Sequence, residues 1–263
     1  MRLHIVFYSE HPVILPWNYQ HLLHGFLYRV IAKSNPELGN FLHNQGFTVS
    51  AHSYKMLTFS KLYPSCARGV PEGLSCMPPI HWWVSSPISM TIEALAAGLL
   101  EERKAILGTV CLEVEKVEVE PPPEFPGHVL CETLSPVVAS TGMRRDEKLH
   151  KRFLSPDEPD FWRVVELNLR RKALAVGLPA GEGMRFEREG EWRSRLILVQ
   201  GMQVRGYEGR FEMEGEEGLF RLAYEAGLGE RNSQGFGMFR ILGDISVKDK
   251  PAGHKLVETG NIR

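Results

Sequence analysis

At 263 residues the chain exceeds one typical domain and suits two, and 43% hydrophobic residues supply core material for each. A formal net charge of −1 and a pI near 6.8 exclude a uniformly basic nucleic-acid binder, so any such role must rest on local patches. Cys66, Cys76, Cys111 and Cys131 are scattered without C-x-x-C or zinc-finger spacing, which argues against a disulfide framework or a structural zinc site and for reduced core cysteines.

The opening MRLHIVFYSEH is too short and polar for a signal peptide, and no apolar run approaches the roughly 20 residues a bilayer needs, so a soluble cytoplasmic protein is expected. Leu3, Ile5 and Phe7 alternate with His4, Val6 and Tyr8 as a first strand, and Pro16 opens a helix from about Trp17 to Lys33. In that helix Leu22, Leu23, Phe26, Leu27, Val30 and Ile31 share one face, while His21, His24 and Tyr28 fall on roughly the opposite one. Ser34 or Asn35 caps a second short helix with Pro36 in its first turn and Gly46 just past its end. Its buried stripe is Leu38, Phe41 and Leu42, which leaves His43 in solvent near the C-terminus.

Strands are predicted over residues 47–53, 56–62 and 80–84, a helix from Ser86 to Glu102, and one long strand from Ile106 to Val119. Pro121, Pro122, Pro123 and Pro126 then mark a stiff linker, so the expected domains are residues 1–125 and 126–263. The second half repeats the order: a strand over 129–139, a helix over 160–176, strands within 184–189, 194–200 and 203–213, a helix from Leu219, and a last strand to Val247. Strand, helix, two strands, helix, strand is the βαββαβ order of a ferredoxin-like (RRM-like) unit, so the fold class expected is α+β with two such units in tandem. Trp82 and Trp83 are adjacent in a strand and must face opposite sides of its sheet.

The stretch Gly227 to Met238, GLGERNSQGFGM, joins a helix pattern to a strand pattern. Gly227, Gly229, Gly235 and Gly237 permit positive φ and close approach of the backbone, and Arg231, Asn232, Ser233 and Gln234 add polar contacts, which suits a phosphate backbone. A dinucleotide fingerprint is excluded, because Asn232 stands where the third glycine belongs and the loop leaves a helix instead of opening one. Arg144, Arg145 and Lys148, with Lys151 and Arg152, form the sharpest basic cluster, which alone reads as solvated surface and together with the glycine-rich loop as a non-specific phosphate track. Arg170, Arg171 and Lys172 form a second cluster, ranked below the first. No histidine or carboxylate set has metal-ligand spacing, so no metal and no cofactor is expected.

Tyr28 and His43 remain, both off the apolar faces of consecutive helices. Metal-free RNA cleavage needs little more than proton transfer and charge stabilisation around a 2′-hydroxyl nucleophile, although such residues also serve as ordinary surface hydrogen-bonding groups. The glycine loop, with LPWNYQHLLHGFLYRVI and SNPELGNFLHNQGF near the start, resembles the CRISPR repeat-RNA processing endoribonucleases of the RAMP superfamily over about residues 1 to 247. That resemblance implies a catalytic tyrosine at Tyr28 and histidine at His43, with CRISPR repeat RNA as partner. It implies a metal-independent cut leaving 2′,3′-cyclic phosphate and 5′-hydroxyl ends. The alternative is a non-catalytic RNA-binding subunit, and further CRISPR effector subunits and a monomer or homodimer are compatible with either. The family's lysine shortly after the histidine is missing from residues 44–51, which leaves charge stabilisation unassigned: Lys55, further on, substitutes if the strand register differs, and a slower enzyme or a different third group is the alternative.

Overall fold

The structure, a computed structural model, describes residues 1–145, 148–181 and 183–245. The first half runs β1 (Arg2–Tyr8), β2 (Val13–Leu15), α1 (Tyr19–Ser34), α2 (Pro36–Asn44), β3 (Phe47–Val49), β4 (His52–Tyr54), β5 (Thr58–Phe59), β6 (Tyr63–Val70), β7 (Gly73–Ser85), α3 (Ser89–Glu102), β8 (Lys104–Leu107) and β9 (Val110–Glu120). The second half runs β10 (His128–Thr133), β11 (Ser140–Arg145), β12 (Lys148–Phe153), α4 (Pro159–Ala175), β13 (Met184–Val199), β14 (Met202–Gly215), α5 (Glu217–Ala226), a single 3-10 turn at Asn232–Gln234, and β15 (Phe239–Asp244). The end of the last predicted strand, residues 246 and 247, lies outside the described residues.

The two large sheets share one topology. The first is ordered β2-β7-β1-β9-β8, with β5 and β6 also paired to β7, and the second β13-β14-β10-β15. In each, the first strand lies between the third and the fourth and the second strand pairs with the third, which is the ferredoxin-like arrangement. The fold is therefore α+β with two ferredoxin-like units in tandem. Alternation drives it: Leu3, Ile5 and Phe7 of β1 are fully buried beneath α1 and α3, with Phe26, Leu95 and Trp82 in the same core. In the second half Val129, Phe211 and Phe239 from the sheet meet Phe161, Val165 and Leu169 of α4 and Phe220 of α5. Trp82 is core, whereas Trp83 is half-buried and stacks on His4 at 4.8 Å.

Three local readings change. The predicted strand over 106–119 is the β8–β9 hairpin, because Gly108 at φ 64° turns the chain between the paired Leu107 and Val110. The predicted strand over 129–139 ends at Thr133, and the basic cluster beyond it folds as the β11–β12 hairpin, with Arg144, Arg145 and Lys148 on its strands. Their side chains lie outside the described part of the structure. Among the four free cysteines only Cys76 and Cys131 are core; Cys66 and Cys111 are exposed. No helix among the described residues is long and apolar enough to cross a membrane.

The glycine loop lies in the seam between the halves. From the first half, Gln20 Nε2 donates to the Gly235 carbonyl at 3.3 Å and Thr58 Oγ1 to the Phe236 carbonyl at 3.0 Å. Gly227, Gly229, Gly235 and Gly237 all have positive φ as expected, but all four are buried, so their freedom serves packing inside the protein. A Cβ on Gly229 would lie 2.3 Å from the Val138 carbonyl oxygen, and one on Gly235 would lie 2.5 Å from the Phe59 ring. Replacing either by a bulky residue is thus expected to lower stability, by about 1–3 kcal/mol from backbone strain alone, before any effect on RNA. Denaturant titration checks this, and a double variant as stable as the wild type would contradict it.

Candidate active site and nucleic-acid interface

The amphipathic pattern of α1 puts His24 and Tyr28 one turn apart on the face away from β1, and their rings lie 4.7 Å apart. Asn35 caps α2, its side chain accepting from the Leu38 N–H at 3.0 Å, and the nine-residue helix carries His43 in its last turn. The His43 ring meets Tyr28 edge-on at 6.3 Å between centroids, with Nδ1 3.0 Å from Asn44 Oδ1. The tyrosine and histidine singled out by the sequence are brought together.

Lys55 joins them. After α2 the chain turns at Gly46, forms the β3–β4 hairpin and returns, so that Lys55 Nζ donates to the His43 carbonyl at 3.1 Å. Gly46 makes the approach possible: at φ 71° its missing Cβ would come within 2.6 Å of the Tyr54 carbonyl and 3.0 Å of the Lys55 side chain. The ammonium therefore caps the negative end of α2. Partial burial holds Lys55 below the ordinary lysine value. Burial raises the Tyr28 hydroxyl, opposed by a hydrogen bond with the Ser233 side chain. His24 is pushed down to about 4 by burial, then by His21 and His43, so it is neutral at physiological pH.

Beside this corner a cleft of about 730 Å³ runs between the β3–β4 hairpin, the β11–β12 hairpin, α4 and the glycine loop. Among the described residues, Lys55, Lys151, Arg171, Lys172 and Arg231 line it with one acid, Glu230, so a nearly neutral chain concentrates positive charge here. Arg231, Ser233 and Gln234 are partly exposed on its wall, whereas Asn232 is buried and donates to the Leu228 and Phe236 carbonyls at 2.9 and 3.0 Å. Among the described residues no group of three or more His, Cys, Asp or Glu side chains could hold a metal ion.

Sequence reading undervalued Lys172. It is fully buried, and its Nζ donates to the Gly227 carbonyl at 2.7 Å, the Gly229 carbonyl at 3.1 Å and Asn232 Oδ1 at 2.6 Å. The available signal was its register: Lys172 continues the α4 core stripe of Phe161, Val165 and Leu169, where a lysine must find buried acceptors.

The model of the CRISPR-associated protein Cas6 N-terminal region matches residues 14–118, and that of the Cas6 C-terminal region matches residues 120–241. The chain belongs to the Cas6 family. The CRISPR-associated endoribonuclease Cas6 1 of Methanocaldococcus jannaschii is 29% identical over 262 residues, covering 98% of each chain. The CRISPR-associated endoribonuclease Cas6 of Pyrococcus furiosus is 27% identical over 247 residues, covering 92% of this chain and 89% of its own. A solved CRISPR-associated protein Cas6 superposes with a TM-score of 0.79 at 27% identity, over 92% of this chain and 99% of its own. Both Cas6 regions are thus present here, one carrying Tyr28, His43 and Lys55 and the other the glycine loop.

Proposed function

We propose that this Cas6 family member is a metal-independent endoribonuclease that cuts CRISPR repeat transcripts once per repeat, leaving a 2′,3′-cyclic phosphate and a 5′-hydroxyl. The observation that carries the reading is the meeting of Tyr28, His43 and Lys55 beside a basic cleft. We assign the chemistry to residues 1–125 and the loop to residues 126–263. In the reaction the 2′-oxygen bonds to the adjacent phosphorus and gives up its proton, the bond from phosphorus to the 5′-oxygen breaks, and that oxygen takes a proton. His43 exchanges these protons, since an imidazole can both accept and donate one. The Tyr28 hydroxyl orients the reacting group. The Lys55 ammonium steadies the extra negative charge on the phosphate, and its partial desolvation strengthens that field.

RNA on either side of the cut follows the cleft. Arg171 and Arg231 neutralise phosphates, and His52 and Tyr54 on the same wall offer aromatic faces to unpaired bases. Contact with the loop passes through Arg231, Ser233 and Gln234 instead of the buried glycines. The β11–β12 hairpin carries Arg144, Arg145 and Lys148, to which we assign non-specific affinity.

Incubating the protein with repeat RNA in excess EDTA and mapping the ends tests the reading. One cut per repeat with a cyclic phosphate end is expected, and a single 2′-deoxy substitution just upstream of the scissile phosphate should abolish cutting while sparing binding. Cutting of the deoxy substrate, or loss of cutting in EDTA, would overturn it.

A further inference from the structure

Two asparagines of α2 stand behind His43. Helical spacing puts Asn40 one turn before Asn44 on the exposed side of α2, opposite the buried Leu38 and Leu42. Asn44 Nδ2 donates to Asn40 Oδ1, and the other end of the same carboxamide, Oδ1, lies 3.0 Å from His43 Nδ1. The three side chains thus form one relay of hydrogen bonds. Gly39 brings this helix against α1: its missing Cβ would lie 2.5 Å from the Ala32 Cα, so the helices pack closely enough for His43 to meet Tyr28.

We infer that Asn44 is a positioning residue for His43, fixing which ring nitrogen carries the proton, and that Asn40 fixes the direction of the Asn44 amide. The polarity of that amide decides the matter. With Nδ2 committed to Asn40, the end that faces the ring is an oxygen, which accepts and cannot donate, so Nδ1 carries a hydrogen. The neutral ring then keeps its lone pair on Nε2, the nitrogen that α2 leaves unengaged. When Nε2 takes a proton the Nδ1–H bond to Asn44 persists, so the ring passes protons in and out at one atom without turning over. An exposed histidine with no such partner favours the opposite tautomer, with its lone pair on the nitrogen nearer its own backbone. This inference rests on the proposed cleavage reaction for its kinetic consequence, while the tautomer itself can be read without RNA.

The test uses Asn44→Leu in the full-length protein, a change of similar volume at an exposed position. The cleavage rate of bound repeat RNA should fall about tenfold, the worth of one hydrogen bond, with affinity for the uncleavable 2′-deoxy RNA unchanged. Asn44→Asp, whose carboxylate accepts from Nδ1 whichever way it turns, should restore the rate for bound RNA. Asn40→Ala should also slow cleavage, but no further in an Asn44→Leu background, because Asn40 acts through Asn44. In a His43→Ala background Asn44→Leu should likewise add nothing. Independently of any RNA, the nitrogen NMR spectrum of the His43 ring at alkaline pH, assigned by its loss in His43→Ala, should place the proton on Nδ1 in the wild type and on Nε2 in Asn44→Leu. A wild-type proton on Nε2, an unchanged rate in Asn44→Leu, or equal slowing with and without His43 would each overturn the inference. A wild type that cuts no RNA while the proton changes nitrogen as expected would instead remove the proposed reaction and leave the positioning standing.

Discussion

Cleavage by His43→Ala is expected to be slower by a factor on the order of 10² or more, with affinity for uncleavable repeat RNA nearly unchanged. His43 is exposed at the end of α2, free to reach a substrate, and its Nδ1 faces Asn44 Oδ1 at 3.0 Å. With the Nδ1 proton directed to that amide oxygen, Nε2 is the nitrogen left to take a proton from, or return it to, the RNA. The replacement removes no core contact, so a folded protein with intact binding is the expected background. His24 cannot take over as a cationic acid near neutrality, because burial, His21 and His43 push it down to about 4. Single-turnover assays at saturating enzyme separate the rate from binding. Full activity in His43→Ala would move the proton-transfer role to His52 on the cleft wall.

The placement of Tyr28 and His43 was legible because helical periodicity and capping are local. Once α1 is amphipathic and Asn35 caps α2, the faces of Tyr28 and His43 follow from spacing alone. Lys55 was only half legible. It stands twelve residues after His43, and only the β3–β4 hairpin and the missing Cβ of Gly46 bring its amine back to the helix end. The four loop glycines announced positive φ correctly but not what approached them, since Val138 and Phe59 come from distant parts of the chain. Strand β6 escaped notice because most of its residues are exposed and it carries a proline, an arginine and a glycine where alternation would be sought. Both sheet orders followed from element order, because each βαββαβ run has few ways to bury its helices on one face.

Lys172→Met is expected to destabilise the protein by about 1–3 kcal/mol, the usual cost of leaving buried hydrogen-bond acceptors without their donor. Methionine nearly matches the volume, so the loss is polar: the Gly227 and Gly229 carbonyls and Asn232 Oδ1 each lose their donor where water has little access. For a chain of this size the midpoint of thermal unfolding should fall by about 3–10 °C. The pH dependence identifies the cause. Burial pushes Lys172 down to about 7, against an ordinary value of 10.5, with the charge of Glu230 opposing the shift. Between those values the unfolded chain holds a proton that the folded chain has lost, so this group makes the wild type more stable as pH rises through that window. At and below pH 7 its burial penalty is fully present. The methionine variant lacks this contribution, and the stability gap should widen from pH 7 towards 10. A variant with the wild-type midpoint and the wild-type pH slope would show that the lysine does not hold the loop.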